Sequence, residues 1–340
     1  MSGAMTPERL RALVGDIFMR AGMVEANART VADVLVWADL RGMGSHGVMR
    51  VPRYVDWMKR GDLNGQPKIK TTASGATITL DADRAAGPVA MTQAAELAVA
   101  KAKETGIALV LVRSTTHTGA IGYYTQLGAR AGMATIAITA SVPNMAYHGA
   151  RAAGVSTAPL SIAVPGEDEP LAVDMGSGVI SIGKLAQARR SGETLGAGLA
   201  LDATGEPTTD PRTATIPLPL GGPKGSGLAL LIECLSSLLA GNPILAEALE
   251  GTAKGKRHYQ NALIIAIDIA RFLPLETFRK EVKRLIRAIK SLPAQAGAEI
   301  LVPGERGHRH AQRTKDIKLA PSVLEELTAL AKSLGVEVPA

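Results

Sequence analysis

The sequence predicts a mixed α/β fold in which two helices come first, a β-sheet interrupted by helices follows, and helices end the chain. One observation is that the β-rich runs cluster in the middle of the chain, bounded by Gly, Pro and Asn. Another is that these runs do not alternate regularly with helices, as they do in a doubly wound parallel sheet. In addition, the dinucleotide-like glycines 42, 44 and 47 follow a helical pattern instead of a buried strand. The predicted fold is therefore not of the Rossmann type.

The helices are predicted from capping residues and apolar periodicity. Thr6, Pro7 and Glu8 form a helix start, and that helix is expected to run to about Gly22. Apolar residues at helical spacing predict a second helix over residues 25–41. Further predicted helices cover residues 88–105, 225–239, 276–291 and 322–334.

The strands are predicted from short β-rich runs between turn residues. Seven such runs occur, at residues 76–81, 107–112, 134–140, 160–164, 171–174, 213–218 and 262–268. The chain of 340 residues is long enough for two or three compact units, and its apolar content of 46% is that of a globular protein.

The net charge of +7 has two interpretations, a nucleic-acid-binding surface or an enzyme whose ligands are anions. Only 3% of the residues are aromatic, and the densest basic run, residues 279–287, alternates with apolar residues as a solvated helix face does. No nucleic-acid partner is therefore expected, and such a protein stays a remote alternative. No run reaches the roughly 18 apolar residues of a membrane span. With the single Cys234 and no signal-peptide pattern at the N-terminus, a cytoplasmic location without membrane attachment is expected.

The segment 42–52, GMGSHGVMRVP, carries the strongest chemical signal. His46 is able to transfer a proton near neutral pH, and Arg50, four residues later, is able to hold a carboxylate through two parallel hydrogen bonds. The glycines are expected to end a helix and form a loop that presents His46. Pro52 is expected to prevent a helix from opening there.

Other polar clusters are compatible with a ligand site or with ordinary structure. His117 follows the predicted strand 107–112, where ligands often bind, although a loop histidine bonded to the backbone is the simpler interpretation. Asp174 leaves a strand into a turn of small residues and is suited to orient a histidine or to accept from a ribose hydroxyl, with Lys184 near a phosphate. The glycine-rich turn 220–227 enters a helix and favours an anion, or is merely a helix start. His308 and His310 lack acidic or Cys partners at ligand spacing, so no metal site is expected.

Seven motifs occur in one order along residues 6–315: SHGVMRVPRYV, THTGAIGYY, STAPLSIAVP, AVDMGSG with GK, ALDATGEPTTDP, LGGPKGSGLAL and LVPGER. On these motifs the chain resembles the malate/L-lactate dehydrogenase superfamily, a non-Rossmann group. The resemblance implies an enzyme that uses NAD or NADP, with a central, largely antiparallel sheet flanked by helical domains. It also implies a homodimer whose active site takes residues from both subunits.

The resemblance also assigns roles to individual residues. His46, aided by Ser45, would protonate the substrate, Arg50 would bind its carboxylate and Thr157 would contact it. In some members the position of His117 is the acid or base, and Asp174 would support a histidine. The residues implied to bind the cofactor are His117, Thr118, Gly119, Ser141, Asp174, Met175, Gly176, Lys184, Lys224, Gly225, Gly304, Glu305 and Arg306.

The predicted division of the chain follows from these roles. Residues 1–75 and 315–340 are expected to form a helical substrate and dimer domain. Residues 76–220 and 255–314 are expected to form the cofactor domain, and residues 221–254 an inserted helical segment.

The predicted function is hydride transfer between a nicotinamide and C2 of a small 2-oxo or 2-hydroxy acid. The alternative is reduction of a cyclic 2-imino acid, Δ1-piperideine-2-carboxylate or Δ1-pyrroline-2-carboxylate. Because the sequence has THTG where many members have Asn-His-Phe-Gly, a catalytically silent relative is a further alternative. Arg189, Arg190, Arg306 and Arg309 are candidates to meet a 2′-phosphate, so the sequence does not choose between NAD and NADP.

Overall fold

The computed structural model of the protein describes residues 4–253 and 259–338. The predicted domain boundary between residues 254 and 255 lies outside the described residues. The helices, numbered along the described ranges, are α1 (Pro7–Arg20), α2 (Glu25–Leu40), α3 (Val51–Arg60), α4 (Gly87–Thr105), α5 (Gly122–Arg130), α6 (Ile182–Ser191), α7 (Pro223–Glu233), α8 (Leu245–Leu249), α9 (Leu275–Lys290), α10 (Glu305–Arg313) and α11 (Pro321–Ser333).

The strands are β1 (Ala4–Met5), β2 (Lys70–Ser74), β3 (Thr77–Asp81), β4 (Ile107–Thr115), β5 (Met133–Ser141), β6 (Met145–Ala146), β7 (Ala153–Val155), β8 (Leu160–Val164), β9 (Leu171–Met175), β10 (Ala200–Leu201), β11 (Pro207–Thr208), β12 (Ile216–Pro217), β13 (Gln260–Asp268) and β14 (Ile317–Lys318). Seven of them form one sheet in the order β2-β3-β4-β13-β5-β8-β9. Within this sheet only β3 and β4 pair in parallel. The prediction of a central, largely antiparallel sheet is confirmed.

Both faces of this sheet are covered, and the alternation of side chains along its strands explains why. Val110 and Val112 of β4 point to the same face as Ile264 of β13, into the large core that includes α1, α2 and α4. Leu111 and Leu263 point to the other face, into a smaller core with Ala229 and Ile232 of α7. The sheet is therefore a middle layer between two groups of helices.

Most predicted elements are confirmed, with boundaries that shift by a few residues. Thr6 Oγ1 caps α1 by accepting from the amide of Arg9 at 3.3 Å, as expected. In the basic run of α9, Arg279 and Arg284 pair with Glu276 and Glu281 one turn earlier, which is the pattern of a solvated face. In the described ranges, no helix combines the length and the apolar character needed to cross a membrane.

The expectation that Pro52 prevents a helix is wrong. Pro52 lies in the first turn of α3, where the missing amide hydrogen costs nothing because first-turn amides have no acceptor within the helix. The predicted strand 213–218 is also largely wrong. Only Ile216–Pro217 is extended, and it belongs to a small sheet with β10 and β11.

Candidate active site

The turn that carries His46 and Arg50 is built on a contact between Asp39 and Gly47. Asp39 Oδ2 accepts from the amide of Val48 at 2.8 Å, and a Cβ on Gly47 would lie 2.0 Å from Asp39 Oδ1. The glycine is therefore required for close packing after helix α2, and the G-x-G-x-x-G pattern follows a helix and not a buried strand, unlike the turn of a Rossmann fold. This agrees with the predicted loop.

Hydrogen bonds hold the polar side chains of this turn. Arg50 Nε donates to the carbonyl oxygen of Ser45 at 2.7 Å. Ser45 Oγ lies 3.0 Å from His46 Nδ1. The Nε–H of Arg50 is thus used to orient its guanidinium, while its four Nη–H groups are the donors that suit a ligand.

His117 is bonded to Tyr54, a fully buried residue of α3. The phenol oxygen of Tyr54 lies 2.6 Å from His117 Nδ1 and 3.1 Å from the His117 carbonyl oxygen. The next residue is fixed as well, because Thr118 donates from its amide and its hydroxyl to Gln260 Oε1, both at 3.0 Å. These bonds engage Nδ1, so Nε2 is the ring nitrogen of His117 that suits proton transfer.

Gly87, at the start of α4, lets this helix pack directly on the His117 segment. A Cβ at this position would lie 2.3 Å from the His117 carbonyl oxygen and 2.4 Å from Thr118 Cα. Both contacts are with backbone, which cannot move aside as the end of a side chain does.

We therefore expect Gly87→Ala to destabilise the protein by about 1–3 kcal/mol, the usual cost of overpacking, and to lower turnover because His117 is displaced. Gly227→Ala in α7 is the matched control, since its Cβ meets nothing within 4 Å and alanine favours a helix. Urea denaturation of the two variants measures the difference. Equal stability of G87A and G227A would contradict the contact.

A cavity of about 140 Å³ brings the separate segments together. It is lined by Arg50 and Tyr54 from α3 and its entry, by His117, and by Ser141 at the end of β5. The His46 ring stacks beside His117, with centroids 5.8 Å apart and planes 19° apart. Arg50 and His117, which the sequence identified separately, therefore face one cavity.

The surroundings lower the pKa of both histidines. Burial, followed by the charge of Arg50, lowers the pKa of His46 to about 4. Burial likewise holds the pKa of His117 well below its ordinary value, and Arg50, His46 and Arg53 lower it further. Both rings are consequently neutral at pH 7, the state in which an imidazole accepts a proton.

Asp174 ends β9 beside the start of α5. Its Oδ2 accepts from the amide of Gly122 at 2.8 Å, and a Cβ on Gly122 would lie 2.9 Å from that oxygen. Burial raises the pKa of the Asp174 carboxyl to about 6, and the hydrogen bond from the Gly122 amide opposes this rise. Within the described residues no hydrogen bond joins Asp174 to a histidine, so its predicted supporting role has no contact behind it here.

The turn after Asp174 meets the start of α7. A Cβ on Gly225 would lie 2.5 Å from the carbonyl oxygen of Ser177, so the turn and the helix entry touch through backbone. Ser177 Oγ is buried and has no hydrogen-bond partner among the described residues. Met175 and Gly176 belong to this turn, and Thr157 is joined to it through the amide of Ser177, which donates to the Thr157 carbonyl at 3.1 Å.

Three predicted cationic residues lie at helix starts and are exposed: Lys184 in α6, Lys224 in α7 and Arg306 in α10. The start of α6 also packs against the turn that carries His46 and Arg50, because a Cβ on Gly183 would lie 2.6 Å from Ser45 Cβ. A Cβ on Gly304, whose φ is 87°, would likewise lie 3.1 Å from the carbonyl oxygen of Ala172 in β9. Helix starts and lysines suit the phosphates of a dinucleotide, so these residues fit such a cofactor.

Glu305, also predicted to bind the cofactor, is engaged by other residues of the protein. Its carboxylate binds Lys290 and Arg309 and accepts from the amide of Val302 at 3.1 Å, and these contacts lower its pKa to about 2. This side chain closes the turn at α10, and its part in cofactor binding stays a prediction.

His308 and His310 are the two histidines at which the sequence predicted no metal site. His308 Nδ1 lies 3.6 Å from Glu169, and His310 Nδ1 lies 2.8 Å from the carbonyl oxygen of Leu40, so the two rings serve different contacts. In the described ranges, no three His, Cys, Asp or Glu side chains form a group suited to a metal ion.

Sequence reasoning missed several residues of the cavity, namely Arg53, Tyr54, Asn144 and Gln260. Tyr54 follows Arg50 by four residues, so the two residues share a helix face. If α3 had been predicted, this spacing would have placed Tyr54 beside Arg50. Gln260 and Asn144 reach the site through the sheet and a loop, and no local pattern marks them. Asn144 Oδ1 accepts from the amide of Thr157 at 2.7 Å.

Comparison with known proteins agrees with this geometry. The family model described as malate/L-lactate dehydrogenase matches residues 5–328. The chain belongs to this family. The predicted resemblance is confirmed, and with it a dehydrogenase or reductase that acts on CH–OH or CH–NH groups.

Members of the malate/L-lactate dehydrogenase family with different named activities are similar to this chain. L-sulfolactate dehydrogenase of Methanocaldococcus jannaschii is 37% identical over 98% of both chains, and a solved structure of sulfolactate dehydrogenase from that organism has a TM-score of 0.89 at 36% identity over 98% of both chains. Ureidoglycolate dehydrogenase (NAD(+)) of Escherichia coli is 35% identical over 88% of this chain and 86% of its own. A Δ1-pyrroline-2-carboxylate/Δ1-piperideine-2-carboxylate reductase of Pseudomonas putida is 32% identical over 96% and 95%.

Proposed function

We propose that this member of the family oxidises a small 2-hydroxy acid, and reduces the matching 2-oxo acid, at the cavity between Arg50 and His117. The observation that carries the proposal is that these two side chains line one cavity of about 140 Å³. A cation that fits a carboxylate and a neutral imidazole beside it are the two groups that this reaction requires of a protein.

Arg50 binds the substrate carboxylate. Its Nε–H is engaged by the Ser45 carbonyl at 2.7 Å, which fixes the plane of the guanidinium and aims the Nη–H groups away from that bond. A carboxylate that accepts from both Nη atoms is held in one plane, and this places C2 and its oxygen at a defined side of the cavity.

His117 moves the proton at the C2 oxygen. In the oxidation direction its neutral ring accepts the hydroxyl proton, and in the reverse direction the imidazolium returns it. His117 suits this better than His46, which the sequence favoured, because His117 lines the cavity while the structure shows His46 stacked on it. A substrate carboxylate on Arg50 also offsets the positive charge that lowers the pKa of His117, so binding makes proton acceptance easier.

When bound, a nicotinamide dinucleotide would supply the hydride chemistry at C2. Its phosphates would be held by Lys184, Lys224 and Arg306 together with the amides of the α7 start at Gly225, and Asp174, Met175 and Gly176 would lie along it. The orphaned Ser177 Oγ in the same turn supports this placement. Thr118 and Gly119, which follow His117, and Ser141, which the resemblance assigns to the cofactor, would complete this site, and the proposal covers both NAD and NADP.

Tyr54 positions His117. Replacing Tyr54 by phenylalanine keeps the packed ring but removes the oxygen 2.6 Å from Nδ1, so the imidazole loses the partner that fixes its orientation and tautomer. We expect kcat to fall about tenfold, the scale of one lost hydrogen bond to a reacting group, with little change of KM for the acid. Steady-state kinetics of Y54F beside Y147F, an exposed tyrosine outside the cavity, tests this. A fall in both constants, or in neither, would argue against positioning.

The experiment that tests the function is a panel of 2-hydroxy acids with NAD and NADP, and of 2-oxo acids with NADH and NADPH, followed by nicotinamide absorbance. Cyclic imino acids belong in the same panel, since the similarity to the Pseudomonas putida reductase supports imine reduction as a second candidate. Turnover of 2-hydroxy acids is expected. Activity confined to Δ1-piperideine-2-carboxylate or Δ1-pyrroline-2-carboxylate would establish the second candidate, and no turnover at all would refute both.

The homodimer remains a proposal, and one surface supports it. Five leucines of α7 and of the π-helical segment Cys234–Leu238 that continues it to Leu239 are exposed, which is unusual for apolar side chains so close together in sequence: Leu230, Leu231, Leu235, Leu238 and Leu239. A second copy of the chain would cover them. Light scattering after size exclusion distinguishes a dimer from a monomer. The cytoplasmic location remains a prediction.

A further inference from the structure

Strand β4 contains a β-bulge just before the segment that carries His117. Gln260 of β13 faces Thr115 of β4. Two residues further along β13, Ala262 faces Val112, which lies three residues before Thr115, so β4 has one extra residue over this stretch. Because side chains alternate between the two faces of a sheet, the extra residue reverses the face to which the later side chains of β4 point. The direction of the segment that leads to His117 therefore depends on this bulge.

Ser114 lies in the bulge and has an unfavourable backbone conformation. Its φ of 56° is in the left-handed region, which is costly for a residue with a Cβ. Two hydrogen bonds hold it there, since its carbonyl accepts from the Arg84 amide at 2.8 Å and its amide donates to Asn261 Oδ1 at 3.0 Å. Asn261 is the residue of β13 that stands opposite the bulge.

The side chain of Asn261 is fixed by its own contacts, and it is fully buried. Its Oδ1 also accepts from Asn242 Nδ2 at 2.9 Å, and its Nδ2 donates to Ser237 Oγ at 3.1 Å and to the Asn242 carbonyl oxygen at 2.8 Å. A carbonyl oxygen only accepts, so the amide nitrogen of Asn261 must lie on that side. All four hydrogen-bonding positions of the amide are used, and Oδ1 is thereby held at the Ser114 amide.

Gln260, the preceding residue of β13, holds the other side of the same segment. Its Oε1 accepts from the amide and the hydroxyl of Thr118, the residue after His117. Asn261 holds Ser114, three residues before His117. Since β13 pairs with β4 on one side and β5 on the other, both anchors stand on a strand inside the sheet.

We propose that Asn261 is a positioning residue for the reaction, because its bond to the Ser114 amide maintains the bulge that directs His117 to the cavity. This inference rests on the proposed function, which gives His117 the proton transfer. A residue that served the fold alone would contribute to stability without a particular effect on turnover.

The kinetic test is Asn261→Ala, which removes the acceptor of the Ser114 amide. We expect kcat to fall about 10- to 100-fold, the effect of a misplaced catalytic group, with little change of KM for the acid because Arg50 lies on another element. Thr139→Val is the matched control. Thr139 Oγ1 donates to the Asn261 carbonyl at 3.0 Å, so T139V also loses a buried hydrogen bond at Asn261 but leaves the bond to Ser114. An equal fall of kcat in N261A and T139V would overturn the proposal.

Substitutions of Ser114 test whether Asn261 acts through the bulge. Glycine adopts a φ of 56° without strain, so Ser114→Gly added to N261A is expected to raise kcat by about tenfold, which corresponds to the cost of this conformation for a residue with a Cβ. Valine is strongly disfavoured there, so S114V alone is expected to have a kcat about tenfold below that of S114G alone. No gain in the double variant would overturn the proposal. Equal kcat of S114V and S114G would do the same even if N261A does not fold.

The NMR signals of the His117 ring separate this inference from the proposed function, because they require no turnover. These signals are assigned by their absence in H117A, and they report the bond of Nδ1 to Tyr54. We expect them to shift in N261A, to return in N261A/S114G and to stay in place in T139V. Unshifted signals in N261A would overturn the inference even if the enzyme oxidises hydroxy acids. A shift that S114G reverses would support it even if no hydroxy acid is turned over.

Discussion

Replacing His117 by alanine is expected to lower kcat by about 10²- to 10⁴-fold, the range found when a general acid or base is removed. The reason is that His117 is the imidazole that lines the cavity with Arg50, and its Nδ1 is already engaged by Tyr54 at 2.6 Å. The cofactor contacts proposed at Lys184 and Lys224 lie on other elements. Binding of NADH, measured by its fluorescence, is therefore expected to change far less than kcat.

His46 provides the comparison that decides between the two rings. Because His46 stacks on His117 at 5.8 Å and bonds Ser45, its loss is expected to affect the placement of His117, and His46→Ala should lower kcat by about tenfold. His148→Ala, at an exposed position, is the control for loss of any histidine. If H46A loses more turnover than H117A, the roles are reversed and His46 transfers the proton. If neither variant loses turnover, the proposed proton path is refuted.

The sequence predicted the order of helices and strands and the segment that carries His46 and Arg50, because both depend on local signals. Strand runs such as residues 107–112 and 262–268 are apolar and bounded by turn residues, so their existence does not depend on tertiary contacts. His46 and Arg50 lie on one short segment, and their chemistry is visible in the spacing. The resemblance then joined His117 to them, which the local sequence alone left as one of two interpretations.

The parts that were missed depend on contacts between distant segments. Helix α5 begins at Gly122, and the amide there donates to Asp174, a residue 52 positions later in the chain. The hydrogen bond between Tyr54 and His117 joins residues 63 positions apart. The close packing of Gly87 on His117 brings in a third element, helix α4. Pro52 was misread for a simpler reason. Proline breaks a helix only when it stands in the helix interior. The local sequence did not show that α3 starts at Val51, which places Pro52 in the first turn.

The last prediction concerns Arg50 and uses two substitutions that separate shape from charge. Arg50→Lys keeps the charge but loses the two-pronged geometry, so KM for the acid is expected to rise by about 10- to 100-fold with kcat less affected. Arg50→Gln loses the charge as well, and we expect a rise of about 10²- to 10³-fold, since the carboxylate then lacks its cationic partner.

The pH profile adds a readout that a merely structural role would not change. The charge of Arg50 lowers the pKa of His117, and the neutral ring is the form that accepts the proton in oxidation. Activity therefore declines as the pH falls through the pKa of His117 in the free enzyme, which kcat/KM reports. In R50Q that pKa rises, so the acid limb should move to higher pH, while in R50K it should stay near its wild-type position. An unchanged KM for the acid in both variants would show that Arg50 serves only its bond to Ser45. An acid limb of the kcat/KM profile that moves equally in both variants would show that the charge of Arg50 does not act on His117.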